Sequence, residues 1–410
     1  MNIAIFSDAY LDVTGGIVSS IEAQKEALEK AGHRVTVFSP GFPGRKREAG
    51  VVVVPICRHV RIEGIPLARN PRVVRRFVLQ KFPDFKFDLV HVHYEAGCSL
   101  AGMRLARESG LPLVVTMHGR EDAAVAANIP WPFRTLVGTL LNWFHSWYLP
   151  HTVTVPRDDY LANTLARAKM WTMMVNHVNY ADLVLTPSQH FKHKLKHYGV
   201  TKPIEVLSNG IADALIPKKV TVKKWSSGQP LKIFWNSRVS REKRIMEFLR
   251  ALKLVDFPYE MLVYGGGNEL KKAQNFVRTN RLNVKFFGTM PRGEILRNLK
   301  QAQLSVLTAY NSENQSLVLL EARAFGVPMF ICNPDMREVA GAGGYVFSDG
   351  PDAEAMAKAL NNLARHPERI AKMSAQVIKN RGEVAQSKIS KDLIRIYQEQ
   401  IEKSVKKQER

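Results

Sequence analysis

The sequence predicts an α/β protein made of two doubly wound domains in series. Two observations carry this reading. Short β-branched runs alternate with helical patterns, which is what a parallel sheet with helices on both faces requires. The alternation also closes near Asn209-Gly210 and restarts at Leu231. A chain of 410 residues suits two or three domains at ~100–200 residues each.

The first half opens on the apolar run Asn2–Phe6, a turn-rich loop and the helical pattern Val18–Ala31. Strands follow at Arg34–Ser39, Val51–Pro55, Asp88–His93 and Leu113–Met117, with a helix at Ser99–Glu108. Leu183–Thr186 and Ile204–Leu207 close this half. The second half reads as strand Leu231–Trp235, helix Ile245–Leu254, strand Met261–Tyr264 and the turn Gly265-Gly266-Gly267. Helix Leu270–Thr279, strand Val284–Phe287, helix Glu294–Lys300 and strand Leu304–Leu307 come next. Helix Leu317–Phe325, strand Pro328–Ile331 and a helical tail from Ala353 to Gln408 complete it. The expected domains are 1–208, 209–385 and a last helix, 386–410, with a return to the first domain as one option. Ile216–Pro230, carrying Lys218, Lys219, Lys223 and Lys224, reads as linker.

Hydrophobic residues make up 45% and charged residues 23%, which excludes a disordered chain, a coiled coil or a collagen-like fibre. No run reaches the ~18–20 apolar residues of a spanning helix. Met1–Phe6 has neither a basic region nor a cleavage site, so no signal peptide is expected. Three scattered cysteines (Cys57, Cys98, Cys332) read as reduced thiols in the cytosol and give no metal framework. The net charge of +22 is shared, +8 in residues 1–200 and +14 in 201–410. Such a surface suits a polyanion: nucleic acid, an anionic membrane or a phosphorylated ligand. No helix-turn-helix, RNA-binding aromatic signature or zinc-finger spacing is present, so a basic nucleic-acid-binding protein is the remote alternative.

Doubly wound sheets bind ligands outside the carboxyl ends of their strands, so residues just past those ends are the candidates. Gly15-Gly16 precedes the first helix, where glycine backbone and a helix N-terminus can meet a phosphate; a plain turn is the other reading. No Gly-x-Gly-x-x-Gly stands there, which weakens a dinucleotide site. His118 follows a strand and can hold a substrate hydroxyl or move a proton, or be a loop histidine bonded to backbone. His91-x-His93 lacks a third metal ligand and reads as packing and loop bonding. Arg238 and Lys243 follow the first strand of the second half. Their cations can converge on a diphosphate, the first as a fork and the second as a point charge, or form a solvated basic loop. Glu313 and Glu321 can accept hydrogen bonds from sugar or ribose hydroxyls, although acid pairs at this spacing are common.

Taken in order, these residues resemble the retaining GT-B glycosyltransferases of family 4. The resemblance covers about residues 1–120 and 180–385. Its most specific part is Glu313-Asn314-Gln315-Ser316-Leu317-Val318-Leu319-Leu320-Glu321, followed by Ala324-Phe325-Gly326-Val327-Pro328. Ile5-Phe6-Ser7-Asp8-Ala9-Tyr10, Gly32-His33-Arg34-Val35, His118 with Glu121-Asp122, and Ile204-Glu205-Val206 with Asn209-Gly210 look like the branch that glycosylates diacylglycerol and related lipids. The resemblance implies two Rossmann-like domains facing each other across a cleft, the first (1–208) binding acceptor and the second (209–385) binding nucleotide sugar. It implies that Gly15 and Gly16 face the donor diphosphate and His118 meets the donor sugar. Arg238 and Lys243 would neutralise the leaving diphosphate. Glu313 would hold sugar hydroxyls, the backbone of Asn314, Gln315, Ser316 and Leu317 the sugar and phosphates, and Glu321 the ribose.

The implied reaction moves a hexose, glucose favoured, from a nucleoside-diphosphate sugar, UDP favoured, to a membrane lipid such as diacylglycerol. A polyprenyl-linked or soluble saccharide, or a phosphatidylinositol-type lipid, is the alternative acceptor. No cofactor and no metal are implied, since fixed cations can stabilise a leaving diphosphate and no Asp-x-Asp stands at a strand end. The nucleotide sugar is a co-substrate. Two features depart from the family pattern: Ser316 replaces the usual glycine, and residues 123–180 match poorly.

That stretch holds Trp131, Trp143, Trp147 and Trp171, four of six tryptophans. Trp143 and Trp147 share a helical face with Leu136 and Leu140. Two readings stand: an interfacial aromatic face, or a helical pair packed on the first domain. Arg72, Arg75 and Arg76, and Lys192, Lys194 and Lys196, read as membrane-facing or as solvated charge. The expected location is cytoplasmic, peripheral on the inner face of the membrane, at an anionic surface.

Overall fold

The computed structural model describes residues 1–10, 15–42, 48–62 and 65–409. The chain divides into two units: Met1–Ser208 with Gln386–Arg410, and Asn209–Ala385.

The first unit is a seven-stranded, wholly parallel sheet. Its strands are β1 (Asn2–Ser7), β2 (Arg34–Pro40), β3 (Val51–Val54), β6 (Leu89–His93), β7 (Leu113–Thr116), β8 (Leu183–Thr186) and β9 (Ile204–Val206), in the order β3-β2-β1-β6-β7-β8-β9. Ile3, Ala4, Ile5 and Phe6 are fully buried, because a central parallel strand has helices over both faces. The helices are α1 (Gly16–Lys30), α2 (Pro71–Lys81), α3 (Gly97–Glu108), α4 (Glu121–Asn128), α5 (Arg134–Ser146), α6 (Leu165–Asn179) and α7 (Gln189–His197). α3 lies so close to β1 that a Cβ on Gly102 would stand 2.4 Å from the Phe6 ring. Outside the alternating rhythm, β4 (Ile56–Ile62) and β5 (Ile65–Ala68) form an antiparallel pair that the sequence reading did not contain.

The second unit holds six parallel strands: β10 (Leu231–Asn236), β11 (Tyr259–Tyr264), β12 (Val284–Gly288), β13 (Leu304–Leu307), β14 (Met329–Ile331) and β15 (Tyr345–Phe347). Their order is β12-β11-β10-β13-β14-β15. Its helices are α8 (Ile245–Lys253), α9 (Leu270–Thr279), α10 (Arg292–Leu299), α11 (Leu317–Ala324), α12 (Arg337–Ala340), α13 (Ala353–Ala364) and α14 (Glu368–Asn380). Strand β15 was not predicted. The stretch read as linker is partly built into this unit. Lys223 is buried and donates through Nζ to the Lys300 carbonyl at 2.6 Å, and Trp225 is buried in the core.

The last helix, α15 (Gln386–Gln408), belongs to the first unit. Leu393, Ile396 and Tyr397 are buried there in one cluster with Ile3, Ile5, Leu89 and Val114. All three cysteines are free thiols, Cys98 and Cys332 buried. Among the described residues no helix is long and apolar enough to cross a membrane.

Candidate functional site

In both sheets the strand order reverses beside the first strand of the unit, between β1 and β6 and between β10 and β13. The candidate residues lie past the carboxyl ends around these points, where such sheets bind ligands.

In the second unit the loop after β10 is clamped from below. Gly265 and Gly267, at φ +130° and +157°, approach it so closely that Cβ atoms would stand 2.2 Å from the Ser237 carbonyl oxygen and 2.3 Å from that of Val239. Only glycine allows that approach. Val239 N–H donates to the Gly266 carbonyl at 2.8 Å, and Glu269 N–H to the Val239 carbonyl at 3.0 Å. The glycine run thus positions the loop that carries Arg238 and Lys243.

Arg238 and Lys243 do come together, in one charged cluster. The Arg238 side chain is 52% exposed and donates to Glu242 Oε2 at 3.1 Å. The Lys243 side chain is 15% exposed; its ammonium pairs with Glu313 and lies 3.6 Å from Glu242 Oε1. Burial opposes the charge on Lys243, but Glu313 and Glu242 outweigh it and raise the pKa. Lys243 therefore carries a full positive charge in a site that is largely shut from water.

Glu321 is not part of that cluster. It is buried, accepts from Asn236 Nδ2 at 2.9 Å and from Arg292 Nε at 2.9 Å. Burial pushes its carboxyl pKa up, and Arg292 works against that. Gln315 is turned to structure, its Oε1 accepting from Asn209 N–H at 2.8 Å. Ser316 stands at the N-cap of α11 with no side-chain bond to the first turn; Asn314 beside it is buried. Sequence reasoning missed Glu242 and Arg292. The first was legible four residues from Arg238, whereas nothing near Arg292 points to Glu321.

In the first unit Gly15 is the exposed N-cap of α1, with extended backbone and nothing within 4 Å of where a Cβ would stand; Gly16 begins that helix. His118 sits past β7 in a loop locked by Arg120 and Asp122. These two side chains are fully buried and joined by bonds of 3.0 and 2.5 Å, with the guanidinium 5.6 Å over the Trp171 ring. Breaking one partner of such a pair is costly, so the loop geometry is firmly set. His118 Nε2 lies 2.7 Å from His93 Nδ1, His93 Nε2 3.2 Å from His91 Nδ1, and His91 Nδ1 2.5 Å from the Tyr397 hydroxyl. His91 and His93 are thus packed, as expected of them, but they also extend from His118 in one chain.

The stretch 123–180 is not a uniform aromatic cluster. Trp171 is fully buried (0% exposed), whereas Trp131 (79% exposed), Phe133, Leu136, Leu140, Trp143 and Trp147 stand outward on α5 and the turn before it. The other face of α5 meets α6 through Gly138, whose Cβ would lie 3.1 Å from the Ala166 carbonyl oxygen, and through His145, 3.1 Å from His177 Nδ1. Arg72, Arg75, Arg76 and Arg104 line a groove of about 580 Å³ on α2 and α3, together with Glu108, which pairs with Arg75 at 2.5 Å and lies 3.8 Å from Arg104. Of the three lysines grouped in the sequence reading, Lys194 is buried, Lys192 half-buried and Lys196 exposed. Among the described residues no group of three or more His, Cys, Asp or Glu is placed to hold a metal ion.

Two doubly wound units with a clamped cationic loop past the first strand of the second define a GT-B glycosyltransferase architecture. The family comparisons agree. Residues 14–215 match the Glycosyltransferase Family 4 model and residues 218–381 the Glycosyl transferases group 1 model. The chain belongs to the GT-B glycosyltransferases of family 4 and is a glycosyltransferase. It is 22% identical to the alpha-monoglucosyldiacylglycerol synthase of Acholeplasma laidlawii, over 99% of each chain. In fold it is similar to a sucrose-phosphate synthase from Thermosynechococcus elongatus (TM-score 0.73, 15% identity, 97% and 98% covered). It is also similar to the Anabaena protein HepE in complex with UDP (TM-score 0.67, 14% identity, 97% and 100% covered).

Proposed function

We propose that this enzyme transfers a hexose, glucose favoured, from a nucleoside-diphosphate sugar, UDP-glucose favoured, to a membrane lipid acceptor such as diacylglycerol, with retention of configuration. The observation that carries the lipid acceptor is the end-to-end similarity to a protein named for glucosylating diacylglycerol. The UDP donor is favoured by the fold neighbour that holds UDP.

The charged cluster supports the leaving-group chemistry. A nucleoside diphosphate departs with growing negative charge, and Lys243 is charged, shielded from water and positioned in advance, the condition under which a cation stabilises a transition state most. Arg238, on the same loop, supplies a second cation, and no metal is required. Glu313, beside Lys243, is assigned the donor-sugar hydroxyls, the backbone from Asn314 to Leu317 the sugar and phosphates, and Glu321 the ribose. Gly15 and Gly16 are assigned to the diphosphate and His118 to the donor sugar. The first unit is assigned the acceptor and the second the nucleotide sugar.

The enzyme works from the surface of an anionic membrane. The outward Trp131, Trp143 and Trp147 support insertion at the interface, where such rings are favoured. The arginine groove on α2 and α3 supports attraction to anionic lipid.

The test is glucosyl transfer from radiolabelled UDP-glucose into anionic vesicles with and without diacylglycerol, beside arms containing a phosphatidylinositol, a polyprenyl-linked saccharide and a soluble saccharide. An α-linked monoglucosyl lipid forming only in the diacylglycerol arm is the expected product. Equal transfer to the soluble saccharide, or no transfer from UDP-glucose in any arm, would overturn the reading.

A further inference from the structure

We infer that Arg292, at the start of α10, is a positioning residue for nucleotide recognition: it holds Glu321 charged, so that both carboxylate oxygens accept from the vicinal hydroxyls of a ribose. The inference rests on the reading of Glu321 as the residue that meets the ribose of the donor.

Three elements of the second unit converge on this carboxylate. Glu321 lies inside α11, Asn236 ends β10 and Arg292 begins α10. Arg292 Nε donates to Oε1 at 2.9 Å, and Asn236 Nδ2 donates to Oε2 at 2.9 Å. Each oxygen of an ionised carboxylate has two acceptor positions. The protein fills one position on each oxygen and leaves one on each. A vicinal diol brings two O–H donors on adjacent carbons, which complements that remainder. Because the two protein donors come from separate elements, the carboxylate is oriented before any ligand arrives.

Stability alone would not select this arrangement. A guanidinium can grip a carboxylate with two parallel bonds. Here Asn236 occupies the second oxygen, and Arg292 Nη2 is buried with no hydrogen-bond partner among the described residues. A buried donor left unpaired is costly, and a buried ion pair is weak in net stability beside apolar side chains of the same volume. What the guanidinium supplies is its charge. The Glu321 side chain is 5% exposed, and burial pushes its carboxyl pKa up. Arg292 pulls it back through its charge and its hydrogen bond, and Asn236 adds a neutral bond. Among the described residues no other charged side chain acts on this carboxyl.

The remaining charges on the elements packed against α11 are engaged elsewhere or exposed. Arg323 is turned to the Val339 carbonyl and to Glu383, and Arg381 to the carbonyls of Ala324 and Pro217. Arg337 on α12 lies over the Phe347 ring. Glu338 on α12 and Glu368, Lys372 and Lys379 on α14 are exposed, Arg369 is half-buried at the start of α14, and β13 carries no charge. Without Arg292, nothing of opposite sign would hold the proton off Glu321. A protonated Glu321 has one oxygen turned into a donor and no longer offers two acceptors to a diol.

The test is calorimetric titration of the enzyme with UDP and with 2′-deoxy-UDP from pH 5 to 9. The wild type is expected to favour UDP by at least about tenfold, and Glu321→Gln to lose that preference at every pH. Arg292→Met is expected to regain the preference only at a higher pH than the wild type needs, because an uncompensated buried carboxyl gives up its proton later. Arg292→Gln, which keeps a donor and removes the charge, is expected to show the same displacement, and it serves alone where Arg292→Met does not fold. A pH profile unmoved in both Arg292 variants, with or without a lowered melting temperature, would overturn the inference; if Glu321→Gln still loses the preference, the ribose reading stands. A Glu321→Gln that still favours UDP, or a wild type that binds the two nucleotides alike or binds neither, would remove the ribose reading and the inference together.

Discussion

The two sheets share an architecture, yet their carboxyl edges are built from opposite materials. The second unit gathers Arg238, Glu242, Lys243 and Glu313 into a cluster of charges, with Glu321 and Arg292 paired nearby. The first unit lines up His91, His93 and His118, which burial holds neutral, and presents an apolar aromatic face elsewhere. Eleven of the twelve histidines lie within residues 1–208. One edge is suited to holding a charged leaving group by Coulomb attraction; the other buries its own charges, Arg120 against Asp122, and sets neutral rings beside them.

The largest expected effect breaks the charged edge. Lys243→Ala is expected to lower kcat by about 10²–10³, and Arg238→Ala, half exposed, by less, as befits a group that stabilises developing charge. Steady-state transfer with melting temperature as a control measures both; near wild-type turnover in both variants would remove the donor-site assignment.

Acid should separate the two units next. Each buried histidine of the first unit has a folded pKa below its unfolded value of 6.5. The unfolded chain therefore takes up protons first as pH falls. Stability conferred by these groups is complete above about pH 6.5 and is lost on acidification down to their folded values, by up to about 1.4 kcal/mol per pH unit for each histidine. Hydrogen exchange from pH 7 to 5 should show the first unit opening more readily, with the second nearly unaffected. Equal loss in both would mean that the histidines are already solvated.

A smaller effect tests the aromatic face. The Trp143 and Trp147 rings contact each other, centroids 4.1 Å apart, and are half exposed. Trp143→Ala with Trp147→Ala is therefore expected to cost only about 0.5–1.5 kcal/mol of stability while removing vesicle binding that survives high salt. Replacing Arg72, Arg75 and Arg76 should remove the salt-sensitive part instead. A large stability loss with vesicle affinity unchanged would return these rings to the core. The smallest effect is none: turnover in EDTA should equal turnover without it, and loss restored by Mg²⁺ or Mn²⁺ would show that a metal shares the work of Lys243.

Legibility followed sequence distance. The strands around Leu231–Trp235 and Leu304–Leu307, and the loop bearing Arg238 and Lys243, were readable because each is a local pattern. The shared face of His91 and His93 was readable in principle from the period of a strand. Tyr397 was not, being 306 residues from His91 in the chain. Trp143 and Trp171 looked alike in sequence; only packing separates the outward ring from the one under Arg120. Glu321 gave no sign of Arg292 because the two meet between separate helices of the second unit.

The return of α15 has a consequence for how the protein is made. The second unit is spelled out between two stretches of the first, so a ribosome finishes residues 209–385 before it supplies Leu393, Ile396 and Tyr397 to the core around Ile3 and Leu89. At 5–20 residues per second the wait is roughly ten to forty seconds. During that time β1 and β6 lack one of the helices that cover them, α1 being already in place, and the nascent first unit exposes apolar surface that a chaperone would recognise. The second unit has no such debt to later sequence and is free to fold as soon as it emerges.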